Sequence, residues 1–238
     1  MLRALVTGAA ARVGRSIAVA LGQAGYDVAV HYRGSEAKAR ETAAELRKLG
    51  VQATLVQGDQ AQEPQRIVEE AAENLGGLDL LVCSAASFAQ QPAEKLSRAA
   101  FEAMLASNLT GPFLLSQAAL PHLRASKGSI VNLLDLCGTA QVWKGYAHYA
   151  ASKAGLQSLT RSLALEWAPE VRVNGIAPGS VLFADDMPEE QRERLVKRIP
   201  LGRAGIPEDV AQTVLFLARS PFITGQIVAV DGGRSLSP

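Results

Sequence analysis

The sequence predicts an α/β protein: a doubly wound parallel sheet of about seven strands with helices on both faces. Two observations carry this. Short β-rich apolar runs alternate with longer helical patterns from end to end, as repeated right-handed βαβ units require. The runs are also apolar on both faces, as strands covered by helices on each side must be. Strands are expected at residues 4–7, 28–32, 53–57, 78–83, 129–134, 171–176 and 226–230. Helices are expected between them at 12–24, 36–49, 64–74, 111–125 and 150–167, with a weaker pair at 189–198 and 207–218. No repeat, low-complexity tract or linker divides the 238 residues, so 1–238 reads as one domain, with a substrate loop at about 180–205.

The bulk numbers narrow the function class. A net charge of +1 gives no reason to expect a nucleic-acid or membrane-surface partner. The longest apolar runs, such as residues 4–11, fall far short of the ~20 residues that a membrane span needs. No signal peptide is read at the N-terminus, and a cytoplasmic location is expected. Cys83 and Cys137 are too few and too far apart for a disulfide framework or a zinc site, so no metal is expected. Cys83 reads as a small buried hydrophobe.

The first strand leads into Thr7-Gly8-Ala9-Ala10-Ala11-Arg12-Val13-Gly14 and then a helix. Small residues let backbone approach a pyrophosphate, and a helix start offers free N–H groups to it. Gly8, Arg12, Val13 and Gly14 are therefore candidate cofactor ligands, although a glycine pair alone also fits a plain strand-to-helix turn. After the second strand the chain reads His31-Tyr32-Arg33-Gly34-Ser35, with no carboxylate before Glu36. An NAD-selective site wants an acid here for the ribose 2′-hydroxyl. Arg33 and Ser35 can instead bind a 2′-phosphate, and Arg12 places a guanidinium beside the phosphates. The expected cofactor is NADPH, with His31 and Tyr32 in the same site.

Tyr149-Ala150-Ala151-Ser152-Lys153 begins a helical pattern and places Tyr149 and Lys153 one turn apart on one face. A nearby ammonium is expected to lower the phenol from its usual value near 10. By itself this spacing is common and usually structural. Its place after the fifth strand, downstream of a phosphate-binding turn, gives it weight.

Together these motifs resemble the short-chain dehydrogenases/reductases, whose turn reads TGxxxGxG; Arg12 stands at the middle glycine. The resemblance extends to Asn108 in Asn108-Leu109-Thr110-Gly111, to Asn174, to Pro178-Gly179 and to Asp231-Gly232-Gly233, covering essentially the whole chain. It implies a Rossmann-type fold, with Tyr149 as general acid, Lys153 orienting and polarising, and Asn108 holding a water that links Lys153 to solvent. It also implies cofactor contacts from Asp59, Gln60, Ser84, Ala85, Ala86, Tyr149, Lys153, Pro178, Gly179 and Ser180, and a homotetramer built on helices 111–125 and 150–167.

Asp135 stands where that family places a serine for the substrate carbonyl oxygen. A carboxylate is a poor partner for an oxygen becoming an alkoxide. It suits a ring nitrogen that must gain a proton, with Tyr149 beside it. Arg12, His31-Tyr32-Arg33, Asp135, Gly145-Tyr146-Ala147-His148-Tyr149, Ala184-Asp185-Asp186-Met187-Pro188 and the ending 223–236 are similar to the pteridine reductases. That resemblance implies a pterin lying between the nicotinamide and an aromatic ring, the place of Phe88. Ser87 and Arg12 would be further substrate contacts, and the 180–187 loop with Phe183 the outer wall. Two features depart from it. The Asn-Asn-Ala after the fourth strand is Cys83-Ser84-Ala85, and the 135–149 segment is about one residue longer than expected, which would displace Asp135 slightly.

The leading expectation is an NADPH-dependent pteridine reductase acting on dihydropterins, with dihydrofolate as a further candidate. The alternative is a carbonyl reductase, for example of 3-oxoacyl thioesters. A third reading, from another class, is a non-enzymatic NADPH-binding protein.

Overall fold

The computed structural model describes residues 1–183 and 187–236. Seven strands, β1 (Leu2–Val6), β2 (Tyr26–Tyr32), β3 (Ala53–Gln57), β4 (Leu80–Cys83), β5 (Ser129–Leu133), β6 (Arg172–Pro178) and β7 (Ile227–Val230), form one sheet. It is parallel throughout, in the order β3-β2-β1-β4-β5-β6-β7. The helices are α1 (Arg12–Gln23), α2 (Glu36–Lys48), α3 (Pro64–Leu75), α4 (Arg98–Leu105) and α5 (Gly111–Ser126), followed by a one-turn α6 (Leu136–Thr139). Then come α7 (Ala147–Glu166), α8 (Glu189–Val196) and α9 (Pro207–Arg219).

The period-2 geometry of a strand sends neighbouring side chains to opposite faces, and β1 shows the result. Ala4 and Val6 enter a core with α1, α2 and α9, while Leu5 between them enters a second core with α3, α5 and α7. Ile17 and Leu21 from α1, one helical turn apart, are fully buried in the first. Each such side chain contributes about 1.5–3 kcal/mol. The chain order reverses between β1 and β4, and the crevice outside the strand ends at such a switch point is where α/β folds bind ligands.

Three local features were not expected. Between β4 and α5 the chain forms α4, capped by Ser97, whose hydroxyl accepts from Ala100 N at 3.1 Å. A π-helical turn, Ala106–Thr110, then joins α4 to α5. Helix α7 starts at Ala147 rather than residue 150, so Tyr149 sits in its first turn. The short α6 turn, with Gly138 at φ 97, accommodates the length between Asp135 and Tyr149. A side chain on Gly138 would collide with the Ala150 carbonyl oxygen as well as strain the backbone.

Candidate active site

A cleft of about 610 Å³ opens at the switch point. Of the expected residues, Gly8, Arg12, Val13, Gly14, His31, Tyr32, Arg33 and Ser35 line it, as do Asp59, Gln60, Ser84, Ala85, Ala86, Ser87 and Tyr149. Ala10, Ala11, Gly34, Gly58 and Ser107 also line it and were not singled out from sequence. Gly8 is left-handed, at φ 66, and a Cβ there would meet Ala85 Cα at 3.0 Å. A Cβ on Gly14 would run into the Gly8 carbonyl. The turn is thus a tight cradle, open to a diphosphate on the helix N-terminus. Arg12, at φ 54, takes the left-handed conformation in which non-glycine residues are uncommon. Its side chain is exposed at the cleft.

On the rim, Arg33 pairs with Asp59 at 3.3 Å while its side chain stays largely exposed to solvent. Asp59 is pulled below the usual carboxylate range, mainly by the Ala61 backbone N–H it accepts and also by Arg33. Ser35 caps α2 without using its hydroxyl in a capping bond. His31 lines the cleft with its ring tied to backbone. Its Nδ1 accepts from Gly8 N at 3.3 Å and its Nε2 lies 3.1 Å from Gly58 O, so both ring nitrogens brace backbone. Burial lowers its pKa to about 4.

Side chains from distant parts of the chain hold the segment after β4. Thr7 Oγ1 accepts from the amides of Ser84 and Ala85, each at 3.0 Å. Gln60 Nε2 donates to Ala85 O at 3.1 Å and to Ser107 O at 2.7 Å. Asn108, in the π turn, accepts from Ser87 N at 2.7 Å and donates to Ser87 O at 2.8 Å. The side-chain amide of Asn108 is thus engaged in bracing the segment after β4. Cys83, buried beside the Ser116 hydroxyl, is pushed up to about 12 by burial.

Tyr149 donates to Asp135 Oδ2 at 2.9 Å. The extra length before Tyr149 therefore does not displace Asp135 from it. Asp135 also caps α6, accepting from Cys137 N at 2.7 Å, and burial raises its pKa. Lys153 is buried, donates to Leu133 O at 2.7 Å, and is lowered to about 8 by burial. The expected lowering of the phenol does not occur. Burial first, then the charge of Asp135 and the hydrogen bond to it, push Tyr149 upward, while Lys153 Nζ lies 5.8 Å from the ring centre. The phenol is held protonated, as a donor.

Phe88 is exposed and packs edge-on to Tyr149, with ring centres 4.8 Å apart. It also stacks on Tyr146 at 4.8 Å and 23°, and Trp143 meets Tyr146 edge-on at 5.8 Å. Tyr146 and Trp143 are thus additional aromatic neighbours of the site. Pro178, Gly179, Ser180 and Phe183 are not among the residues lining the cleft, nor is Phe88. Gly179 instead donates to Val230 O at 3.0 Å, and Ser180 O accepts from Gly205 N at 2.9 Å. The loop expected over the substrate includes residues 184–186, which lie outside the described residues.

A family model described as enoyl-(acyl carrier protein) reductase matches residues 8–235. A solved structure from Burkholderia xenovorans, described as a short-chain dehydrogenase/reductase, superposes with a TM-score of 0.91 at 30% identity, covering 100% of this chain and 99% of that one. The chain belongs to the short-chain dehydrogenase/reductase family. A short-chain alcohol dehydrogenase structure from Sinorhizobium meliloti gives a TM-score of 0.94 at 37% identity, covering 100% of this chain and 97% of that one. Among curated relatives, 3-oxoacyl-(acyl-carrier-protein) reductase FabG of Staphylococcus aureus is 37% identical over 97% of this chain and 96% of its own. The 3beta-hydroxysteroid dehydrogenase 1 of Eggerthella lenta is 36% identical over 98% of this chain and 94% of its own. The family makes this chain an NAD(P)-dependent oxidoreductase of small molecules. The named relatives stand nearer the carbonyl-reductase alternative than the pteridine branch. No helix among the described residues is long and apolar enough to cross a membrane.

Proposed function

We propose that this short-chain reductase uses NADPH to reduce a C=N bond in a flat nitrogen heterocycle, a dihydropterin, with dihydrofolate as a further candidate. The single observation behind this reading is the 2.9 Å hydrogen bond from Tyr149 to Asp135. A nicotinamide cofactor held in the cleft supplies the hydride. Tyr149, kept protonated by its surroundings, gives its proton to the ring nitrogen next to the carbon that receives hydride. Asp135, the hydrogen-bond partner of the phenol, would then pass on a proton taken up from solvent and so restore the phenol. Lys153 holds the β5 end through Leu133 O and keeps a cation in the site. Exposed Phe88 offers a face for a flat ring, worth about 0.5–1.5 kcal/mol beyond burial. Arg33 and Ser35, with no carboxylate at the end of β2, support NADPH over NADH.

Reduction of a 3-oxoacyl thioester is the second reading, and the FabG relatives favour it over pterins. Yet a steroid dehydrogenase is 36% identical against 37% for FabG, so overall identity alone does not choose the substrate. The choice falls on the site, where a carboxylate would face the developing alkoxide of a ketone. The test is NADPH oxidation by purified protein with dihydrobiopterin, dihydrofolate and an acetoacetyl thioester side by side. Turnover of the pterin substrates supports the first reading. Turnover of the thioester alone makes the protein a ketone reductase.

We also propose assembly as a homotetramer. Ala151, Ala154, Ser158, Ser162 and Leu165 lie along an exposed stripe of α7 that also carries Arg161, and Leu165 is 84% exposed.

A further inference from the structure

Gln60 follows β3, and its side chain runs beneath the cleft rather than into solvent, at 6% exposure. Its amide joins two segments distant in sequence: Ala85 in the segment after β4, and Ser107 in the π turn. Both segments line the cleft. Ala85 is the backbone against which Gly8 of the phosphate-binding turn packs, and the π turn carries Asn108. Gln60 therefore sets the spacing between the diphosphate cradle and the catalytic helix junction.

We propose that Gln60 is a positioning residue for the nicotinamide cofactor, clamping the segment after β4 to the π turn where Cys83-Ser84-Ala85 lacks a bracing asparagine. Three observations support this. Both Gln60 bonds are donated by one nitrogen to two carbonyl oxygens, a geometry that only a donor can satisfy. The amide oxygen Oε1 is buried and has no hydrogen-bond partner, a cost that an apolar side chain of similar size would not carry. A residue present for packing alone would need no amide. Gly111, at the start of α5, makes the room: a Cβ there would lie 2.9 Å from Gln60 Cγ.

The inference rests on the nicotinamide cofactor of the family and not on the identity of the substrate, so its test reads cofactor binding directly. NADPH and NADH dissociation constants are measured by fluorescence titration for wild type, Gln60→Leu and Gln60→Glu, with melting temperatures recorded alongside. Gln60→Leu is expected to weaken both cofactors about tenfold. Gln60→Glu is expected to bind poorly at pH 8, where a carboxylate faces two carbonyls, and to recover in part near pH 5.5, where a protonated acid donates to one of the two. Cofactor affinity unchanged in Gln60→Leu overturns the proposal. Should Gln60→Leu not fold, a Gln60→Glu to wild-type affinity ratio that stays constant with pH overturns it equally.

Discussion

Asp135 and Tyr149 define each other. The carboxylate accepts the phenol proton at 2.9 Å, and its charge and the burial around both groups keep that proton in place. Arg33 acts at the other end of the cleft, where Asp59 holds it at 3.3 Å and keeps its guanidinium at the rim. A charge-assisted bond to a 2′-phosphate contributes about 1.5–3 kcal/mol, or roughly a 10–100-fold change in affinity. Arg33→Ala should therefore raise the KM for NADPH by about that factor and leave NADH nearly unchanged. Equal losses for both cofactors would mean that Arg33 acts only through Asp59. At this scale Tyr149, Lys153, Asp135 and Arg33 were legible because each is a chemical group at a recognisable place along the chain. The bracing roles of Thr7, Gln60 and Asn108 were not, because their bonds reach partners such as Ser84, Ala85, Ser107 and Ser87, which only the fold brings near.

Strands and helices were legible where periodicity is strong, and α1, α2, α3 and α5 all lie within two residues of expectation. The π turn was hidden because one extra residue in a helix leaves little mark on composition, and such turns often sit at functional sites. The same fold detail places His31, at the end of β2, against both the phosphate-binding turn and the end of β3. Its pKa falls from 6.5 to about 4 on folding, so between those values the unfolded chain binds more protons than the native one. Stability from this residue is complete above about pH 6.5 and is lost as pH falls toward 4, by roughly 3 kcal/mol over the whole window. Urea unfolding at pH 7 and pH 4.5 should show a larger acid-dependent loss for wild type than for His31→Gln. Equal losses would show that the imidazole is not the group responsible.

For the whole molecule, the alternation of strands and helices was enough to give a doubly wound sheet, and the order reversal between β1 and β4 locates the cleft. Assembly is a property of the outer faces. The α7 face with Leu165 predicts a tetramer for wild type by sedimentation velocity and smaller species for Leu165→Arg; a monomeric wild type would contradict it. What the sequence left open is the substrate, because one fold and one Tyr-Lys pair serve many carbonyl and imine reductions, and relatives at nearly equal identity bear different names. The choice between those substrates depends on whether Asp135 takes part in proton donation. The most direct measurement is kcat for dihydrobiopterin in wild type and Asp135→Ala, with NADPH affinity measured in both. If Asp135 takes part, Asp135→Ala lowers turnover by about 10²–10⁴ and retains cofactor affinity. Dihydrobiopterin turnover that survives Asp135→Ala would contradict that role.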